Sequence, residues 1–212
     1  MPDVRPGAPQ GSAIIAASKM TGKCPEPRPA LDLAALRRQQ AQGLALSYLF
    51  FYDHHAQPDG TPGPGCLSQW WPAPMTISGL LYPTAEHFMM AEKARLFGDN
   101  ATHNRILQAK GPGSAQRLGR MVHNFAEPTW ALARTRIVVQ GNLAKFQQHP
   151  HLQRYLIRTG STVLAQASPA DRVWGIGFAA CASEACNPAA WTGLNLLGFA
   201  LMTVREHLTT PR

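Results

Sequence analysis

The chain has 212 residues, of which 45% are hydrophobic and only 15% are charged, and it carries a formal net charge of +8. This composition excludes a wholly disordered chain, which needs low hydrophobicity and high charge. No apolar run approaches the ~20 residues that a membrane span needs, and residues 13–19 are too short and too polar for a secretory signal. Four irregularly spaced cysteines are typical of a reducing compartment, so we expect a cytoplasmic protein.

The first 45 residues are predicted to form a flexible extension, and residues 46–212 to form one folded domain. Residues 1–30 contain six prolines together with Gly, Ser and Ala, so they cannot bury enough apolar surface to fold. Asp32 is placed to N-cap a short helix that Gly43 would end.

Short strands are predicted on both sides of the chain's middle. The aromatic-rich run 46–52 reads as a buried strand, and a Pro- and Gly-rich loop follows at 57–65. Residues 75–82 predict a two-residue hairpin whose turn contains Gly79. Two further strands are expected at 162–166 and 172–177.

Helices are predicted over most of the remaining residues. Thr84, preceded by Pro83, is placed to N-cap a helix that Gly98 ends. Apolar spacing and flanking prolines predict four more helices, at 101–110, 113–123, 128–148 and 188–209. The expected fold class is α+β and predominantly helical, with a few short strands.

The positive charge is concentrated in the middle of the sequence. Residues 93–172 contain 12 Lys or Arg and only three acidic residues. Such a field favours phosphates, either on a nucleotide or along a nucleic-acid backbone. Ordinary solvated helix faces are the alternative explanation.

Two residues of the helix after Thr84 are candidates for catalysis. Glu86 and Lys93 are seven positions apart, so they lie on one helix face about two turns from each other. The apolar Met90 between them would raise the pKa of the carboxyl and lower that of the amine. The carboxyl could then serve as acid or base, and the lysine could attack a carbonyl carbon. A solvated pair with no catalytic role explains the same spacing.

A second candidate segment runs from Asp171 to Gly177. Asp171 lies in a turn, a common place for a catalytic or ligand-orienting acid. Trp174 could stack on a base, and Gly175 would allow a ligand or another backbone to approach closely. Alternatively, Asp171 caps its own turn and Trp174 packs in the core.

Other motifs are less specific. Residues 53–55 read Asp-His-His but lack a supporting cluster, and Cys181 and Cys186 are too far apart for a zinc knuckle. Trp70 and Trp71 form either a stacking platform or a core pair. No metal site and no organic cofactor are predicted.

Eight segments then match one family in order and spacing: residues 67–74, 82–87, 91–99, 118–120, 145–146, 159–160, 171–177 and 191–198. Through them the chain resembles the YbiA-like, or NADAR, N-glycosidases from about residue 46 to residue 208. The resemblance implies a single YbiA-like domain that hydrolyses an N-glycosidic bond between ribose and an amino nitrogen. The substrates it implies are phosphorylated intermediates of riboflavin biosynthesis or ADP-ribosylated guanine, in a nucleic acid or free.

The resemblance also implies roles for individual residues. Glu86 would be the general acid or base, and Lys93 would engage the anomeric carbon through a Schiff base. Asp171 would orient the sugar or water, and Trp174 would flank the base. The further substrate-binding residues expected are Trp71, Lys110, Arg120 and Gly175, with Lys110 or Arg120 reaching phosphate.

Two other classes of protein stay open at this point. A non-catalytic module could bind ADP-ribose or nucleic acid through the basic middle and the tryptophans. An enzyme fold kept as a scaffold is the other alternative. Its one indication is Gln166, which stands where the family commonly has a glutamate.

Overall fold

The structure is a computed structural model, and it describes residues 32–210. Its helices are α1 (Leu33–Ala41), α2 (Ala85–Leu96), α3 (Asn100–Leu107), α4 (Pro112–Arg120), α5 (Glu127–Gln148), α6 (Pro150–Arg158) and α7 (Leu196–Thr209). Its strands are β1 (Tyr48–Phe51), β2 (Met75–Ile77), β3 (Leu80–Tyr82) and β4 (Val163–Gln166), and a single 3-10 turn spans Pro64–Leu67. The predicted α+β, predominantly helical fold is confirmed. Across these residues no helix is both long and apolar enough to cross a bilayer.

Helix α2 lies at the centre of the domain, and α3, α4 and α5 all pack against it. Phe88 of α2 is 1% exposed, and a Cβ added to Gly141 of α5 would lie 2.6 Å from its ring. Gly119 of α4 packs equally closely against Met90 of α2, because an added Cβ would collide with the Met90 side chain. These two glycines let α4 and α5 approach α2 closely, which places the end of α4 beside the catalytic candidates of α2.

Two pairs of strands flank the helical block. β1 and β4 are parallel, with Tyr48 opposite Val163 and Phe51 opposite Gln166, so the helices between them form the crossover that parallel strands require. β2 and β3 form the predicted hairpin. Its turn residues Ser78 and Gly79 both have positive φ, at +51° and +79°, as a type I′ turn requires.

Helix α1 lies inside the segment assigned to the N-terminal extension, yet it is packed against the domain. Asp32 N-caps it by accepting from the Ala35 N–H at 2.6 Å. Leu36 is fully buried, and Arg37 donates to the carbonyls of Pro188 and Trp191 at 2.9 and 3.2 Å. Residues 32–41 are therefore part of the folded unit. The rest of the predicted extension, up to residue 31, lies outside the described residues.

The predicted strand at 172–177 is wrong, because these residues form turns. Asp171 Oδ1 accepts from the N–H groups of Val173 and Trp174 at 2.9 and 2.8 Å, which closes a turn on itself. The carbonyls of residues 172–176 accept from the N–H groups of residues 193–197 rather than from a strand.

Two helix predictions also need correction. The last helix begins at Leu196 rather than at residue 188, because Asn195 has φ +52° and residues 193–195 donate to the turn. The helix predicted at 128–148 ends at Gln148 as expected, but Pro150 opens a further helix, α6, that was not predicted. Proline is favoured at the first helical position, where its missing N–H costs nothing.

Candidate active site

The first turn of α2 carries Glu86. Thr84 N-caps this helix, as predicted, by accepting from the His87 N–H through its hydroxyl. The Glu86 N–H, which has no partner inside the helix, donates to the Gln69 carbonyl at 3.0 Å. The side chain of Glu86 is buried, at 3% exposure, and Oε1 has no hydrogen-bond partner among residues 32–210.

The surroundings of Glu86 favour its protonated form. Burial, followed by the nearby Asp171 carboxylate, raises the pKa of Glu86 to about 8, while a hydrogen bond with Trp70 and the charge of Arg120 act in the opposite direction. A helix N-terminus ordinarily favours a carboxylate anion, but desolvation outweighs that effect here. Glu86 is therefore mostly protonated at neutral pH and can act as a proton donor.

His87 connects the first turn of α2 to the loop before α4. Its Nε2 lies 3.1 Å from the Ala109 carbonyl, which can only accept, so Nε2 carries the proton. Nδ1 then accepts from the Thr84 hydroxyl at 2.8 Å. Burial lowers the pKa of His87, which favours the neutral ring, and the hydrogen bond with Ala109 opposes that change. The loop held in this way contains Lys110, whose own side chain is exposed.

Lys93 lies two turns further along α2 in an aromatic setting. Its Nζ is 4.1 Å from the ring centroid of Phe125 and 5.6 Å from that of Trp130. Partial burial lowers the pKa of the amine, Glu127 opposes that change, and Arg120 adds to it. The amine is thus closer to its nucleophilic, uncharged form than an exposed lysine would be.

The Asp171 turn supplies the second carboxylate. Because Oδ1 accepts two backbone N–H groups, the orientation of the carboxylate is set by the turn itself. Gly175 is buried, and an added Cβ would lie 2.9 Å from the carbonyl oxygens of both Gln166 and Asp171. The sequence left open whether Gly175 makes room for a ligand or for another part of the backbone, and the structure shows that backbone approaches it closely. Trp174 is half-buried and packs against the core.

The side chain of Asn195 anchors this turn to β4. Its Nδ2 donates to the Leu164 carbonyl at 2.9 Å, and its Oδ1 accepts from the Gln166 N–H at 3.0 Å. Its backbone N–H donates to the Gly175 carbonyl at 3.0 Å. One buried asparagine therefore joins the strand, the turn and the start of α7.

The structure brings four of the predicted site residues together. Asp171 and Arg120 both act electrostatically on Glu86, and Arg120 also acts on Lys93. Arg120 is exposed at the end of α4. Trp71 packs partly buried against the core, and Lys110 is exposed in the loop before α4.

Three aromatic residues of the site were missed by the sequence analysis. Trp70, rather than Trp71, contacts Glu86, and nothing in the sequence distinguishes the two. Phe125, in the loop before α5, and Trp130, in the first turns of α5, lie against the Lys93 amine. Because they are distant from Lys93 along the chain, helical periodicity gives no signal for them.

A groove of about 410 Å³ lies on another side of α2, lined by residues that include Tyr82, Glu92 and Arg95. Glu92 and Arg95 are ion-paired there at 2.6 Å. Within the described part of the chain, no group of three or more His, Cys, Asp or Glu side chains is arranged to hold a metal ion.

Residues 50–209 match the model of the NADAR domain, so the chain belongs to the NADAR family. N-glycosidase R617 of Acanthamoeba polyphaga mimivirus is 37% identical over 164 residues, which is 75% of this chain and 95% of that protein. The NMR structure of Escherichia coli YbiA is 26% identical with a TM-score of 0.61, over 82% of this chain and 92% of that one. The family and the N-glycosidase class of enzyme expected from the motifs are confirmed.

The chain also resembles the riboflavin biosynthesis protein VVA0006 of Vibrio vulnificus. The two are 31% identical over 160 residues, which make up 76% of this chain. They cover 38% of the Vibrio protein, so the similarity is confined to one part of it.

Proposed function

We propose that this chain hydrolyses the N-glycosidic bond between a ribose carbon and an amino nitrogen, with Glu86 as the general acid. The observation that carries the proposal is the buried Glu86 carboxyl, protonated at neutral pH, with Oε1 unpartnered within residues 32–210. A proton donor in this state can protonate the ring oxygen or the leaving nitrogen. The neighbouring Asp171 completes a pair of carboxyl groups of the kind that glycosidases use.

In the proposed mechanism, protonation by Glu86 opens the ribose ring or activates the leaving nitrogen, and the anomeric carbon becomes electrophilic. The neutral amine of Lys93 then adds to this carbon, and one proton of the amine passes to the leaving nitrogen as the bond between that nitrogen and the carbon breaks, which leaves an iminium between Lys93 and the sugar. Water adds to the iminium, the bond between the carbon and Nζ breaks to release the sugar and restore the amine, and the remaining proton of the water returns to Glu86. Asp171 Oδ2 orients the sugar or the water, and Trp174 flanks the base.

A covalent role for Lys93 is tested by borohydride, which reduces an iminium to a stable amine. We expect mass spectrometry to find the mass of the sugar on Lys93 when borohydride is added during turnover. Hydrolysis without such an adduct would favour direct attack by water, assisted by Glu86 and Asp171.

We propose two substrate classes: phosphorylated ribosylamino intermediates of riboflavin biosynthesis and ADP-ribose attached to guanine. Both carry phosphate, for which we propose contacts with Arg120 and Lys110 in the electropositive middle of the chain. The name of the Vibrio vulnificus relative supports the first class. The cytoplasmic location stays a prediction.

The deciding experiment incubates the protein with each substrate class and separates the products by chromatography. Wild type is compared with Glu86→Gln and Lys93→Ala. Glu92→Gln is the matched control, because Glu92 is also a poorly exposed carboxylate of α2 but is paired with Arg95. We expect release of base and sugar by wild type and by the control, and loss of release in the other two variants.

The opposite result would favour the non-catalytic module. That protein would release no base from either substrate, yet would bind ADP-ribose or nucleic acid with a steep dependence on salt. Its binding would be unchanged in Glu86→Gln.

A further inference from the structure

Lys145 of α5 is a fully buried lysine with no part in the chemistry proposed above. Its Nζ donates to the carbonyls of Cys66 and Ser68 at 2.7 and 2.8 Å. Burial lowers the pKa of Lys145 to about 7, which shows that an amine is costly to hold at this position. Burial also raises the pKa of the Cys66 thiol to about 11, so this neighbour carries no compensating charge at neutral pH.

The segment that Lys145 binds is the one that holds Glu86. We call residues 66–70 the support segment. Within it, the Gln69 carbonyl accepts from the Glu86 N–H at 3.0 Å, and Trp70 hydrogen-bonds the Glu86 side chain. Only its first two residues belong to a helical turn, and the hydrogen bonds that residues 68–70 make among themselves and to Gly65 are local. Contacts with other elements therefore fix where the support segment lies in the domain.

A second buried side chain of α5 holds the same segment. Asn142 lies one turn before Lys145, on the same face of the helix, and is fully buried. Its Nδ2 donates to the Gln69 Oε1 at 2.8 Å. Two neighbouring side chains of α5 thus make three hydrogen bonds to the support segment.

We propose that Lys145 is a positioning residue for the acid: by binding the carbonyls of Cys66 and Ser68 it fixes the support segment, and the support segment holds Glu86 in its buried orientation. This inference rests on the proposed role of Glu86. A loosened support segment would let water reach the carboxyl and so reduce the desolvation that keeps it protonated. The charged groups that act on Glu86, Asp171 and Arg120, would be unchanged.

The test compares the titration of Glu86 in the full-length wild type, Lys145→Met and a matched control. Arg205→Met is that control, because Arg205 is also a buried cation, at 3% exposure. Its partners, Thr159 and Thr162, are outside the support segment. Carboxyl carbons are followed by NMR in protein labelled with ¹³C-glutamate, and Glu86→Gln assigns the signal.

We expect the titration midpoint of Glu86 to lie about one pH unit lower in Lys145→Met than in wild type, and to be unchanged in Arg205→Met. In kinetics we expect kcat of Lys145→Met to fall on the order of tenfold or more, with KM within about twofold. If Lys145→Met does not fold, Asn142→Leu decides, with a smaller change of the midpoint in the same direction.

Two results would overturn the inference. The first is that Glu86 titrates in folded Lys145→Met at the same midpoint as in wild type. The second is that Arg205→Met changes the midpoint as much as Lys145→Met does. Because the titration needs no substrate, it also separates the two proposals. A protein that hydrolyses neither substrate but shows the lower midpoint in Lys145→Met refutes the function and keeps the positioning role.

Discussion

The burial that suits Glu86 to its proposed role as an acid also destabilises the folded state. Its pKa is about 8 in the protein against an ordinary value of 4.5, so between these values the native state holds a proton that the unfolded state releases. The free energy of unfolding therefore falls as pH rises through this window. A tenfold difference in proton affinity between the two states corresponds to ~1.4 kcal/mol.

We accordingly expect Glu86→Gln to be more stable than wild type, by a margin that grows between about pH 5 and pH 8 and then levels off. Glutamine cannot titrate and so escapes the cost of burying a charge. Urea denaturation at about pH 5, 7 and 9 measures the margin. A margin independent of pH would show that the carboxyl does not titrate in this range. Glu92→Gln, on the same helix, is the control.

The charges near Glu86 give a second prediction at the residue scale. Asp171→Asn removes the like charge that raises the pKa of Glu86, and Arg120→Gln removes the charge that lowers it. We therefore expect the basic limb of kcat/KM to move to lower pH in Asp171→Asn and to higher pH in Arg120→Gln. Changes of the same sign in both variants would contradict this arrangement.

Among the elements, the contact between α2 and α5 depends on one glycine. A Cβ at Gly141 would lie 2.6 Å from the Phe88 ring, which is rigid and fully packed. We expect Gly141→Val to lower the free energy of unfolding by about 2 kcal/mol through overpacking. Gln140→Val places the same β-branched residue at an exposed neighbouring position of α5, where it costs only helix propensity, so a comparable loss there would refute steric conflict as the cause.

The second prediction at the scale of elements concerns the packing of helix α1. Leu36 is fully buried, so Leu36→Ala should cost about 2–4 kcal/mol of stability by leaving a cavity in the core. Leu44→Ala, at a position with 39% exposure, should cost less than about 1 kcal/mol. Thermal denaturation of both variants measures the difference. Equal, small losses would mean that α1 does not contribute to the fold.

Elements with local signals were predictable from the sequence, and elements defined by distant partners were not. Thr84 marks the start of α2 because a cap acts on groups three residues away, and the positive-φ turn marks the β2–β3 hairpin. The Asp171 turn resembled a strand because its partners, residues 193–197, come later in the chain. Pro150 is ambiguous from sequence alone, since proline both ends and opens helices.

At the scale of the whole molecule, the candidate site shows the same difference between residues with a local sequence signal and residues positioned by distant partners. The spacing of Glu86 and Lys93 on one helix was visible, whereas Trp70, Phe125 and Trp130 reach them from two other segments. The position of each depends on how α4 and α5 pack on α2. Tertiary packing of this kind leaves no periodic pattern in the sequence.

The net charge of the molecule yields a prediction at this scale. With +8 overall and a surplus concentrated in residues 93–172, the protein should attract phosphorylated substrates from a distance. We expect KM for such a substrate to rise with NaCl as the field is screened, while kcat stays constant. An unphosphorylated ribosylamine is the control, and a parallel rise in its KM would exclude electrostatic attraction.

The turn that carries Asp171 and Trp174 is held by main-chain groups of residues 193–197 and by the side chain of Asn195. Main-chain hydrogen bonds do not depend on which side chains the turn carries. Arg172 of this turn is exposed. Mutations at such positions can therefore accumulate while the turn keeps its conformation. With the roles proposed above for Asp171 and Trp174, substrate preference would then diverge among descendants of this protein through point changes in one turn, without a period of impaired folding.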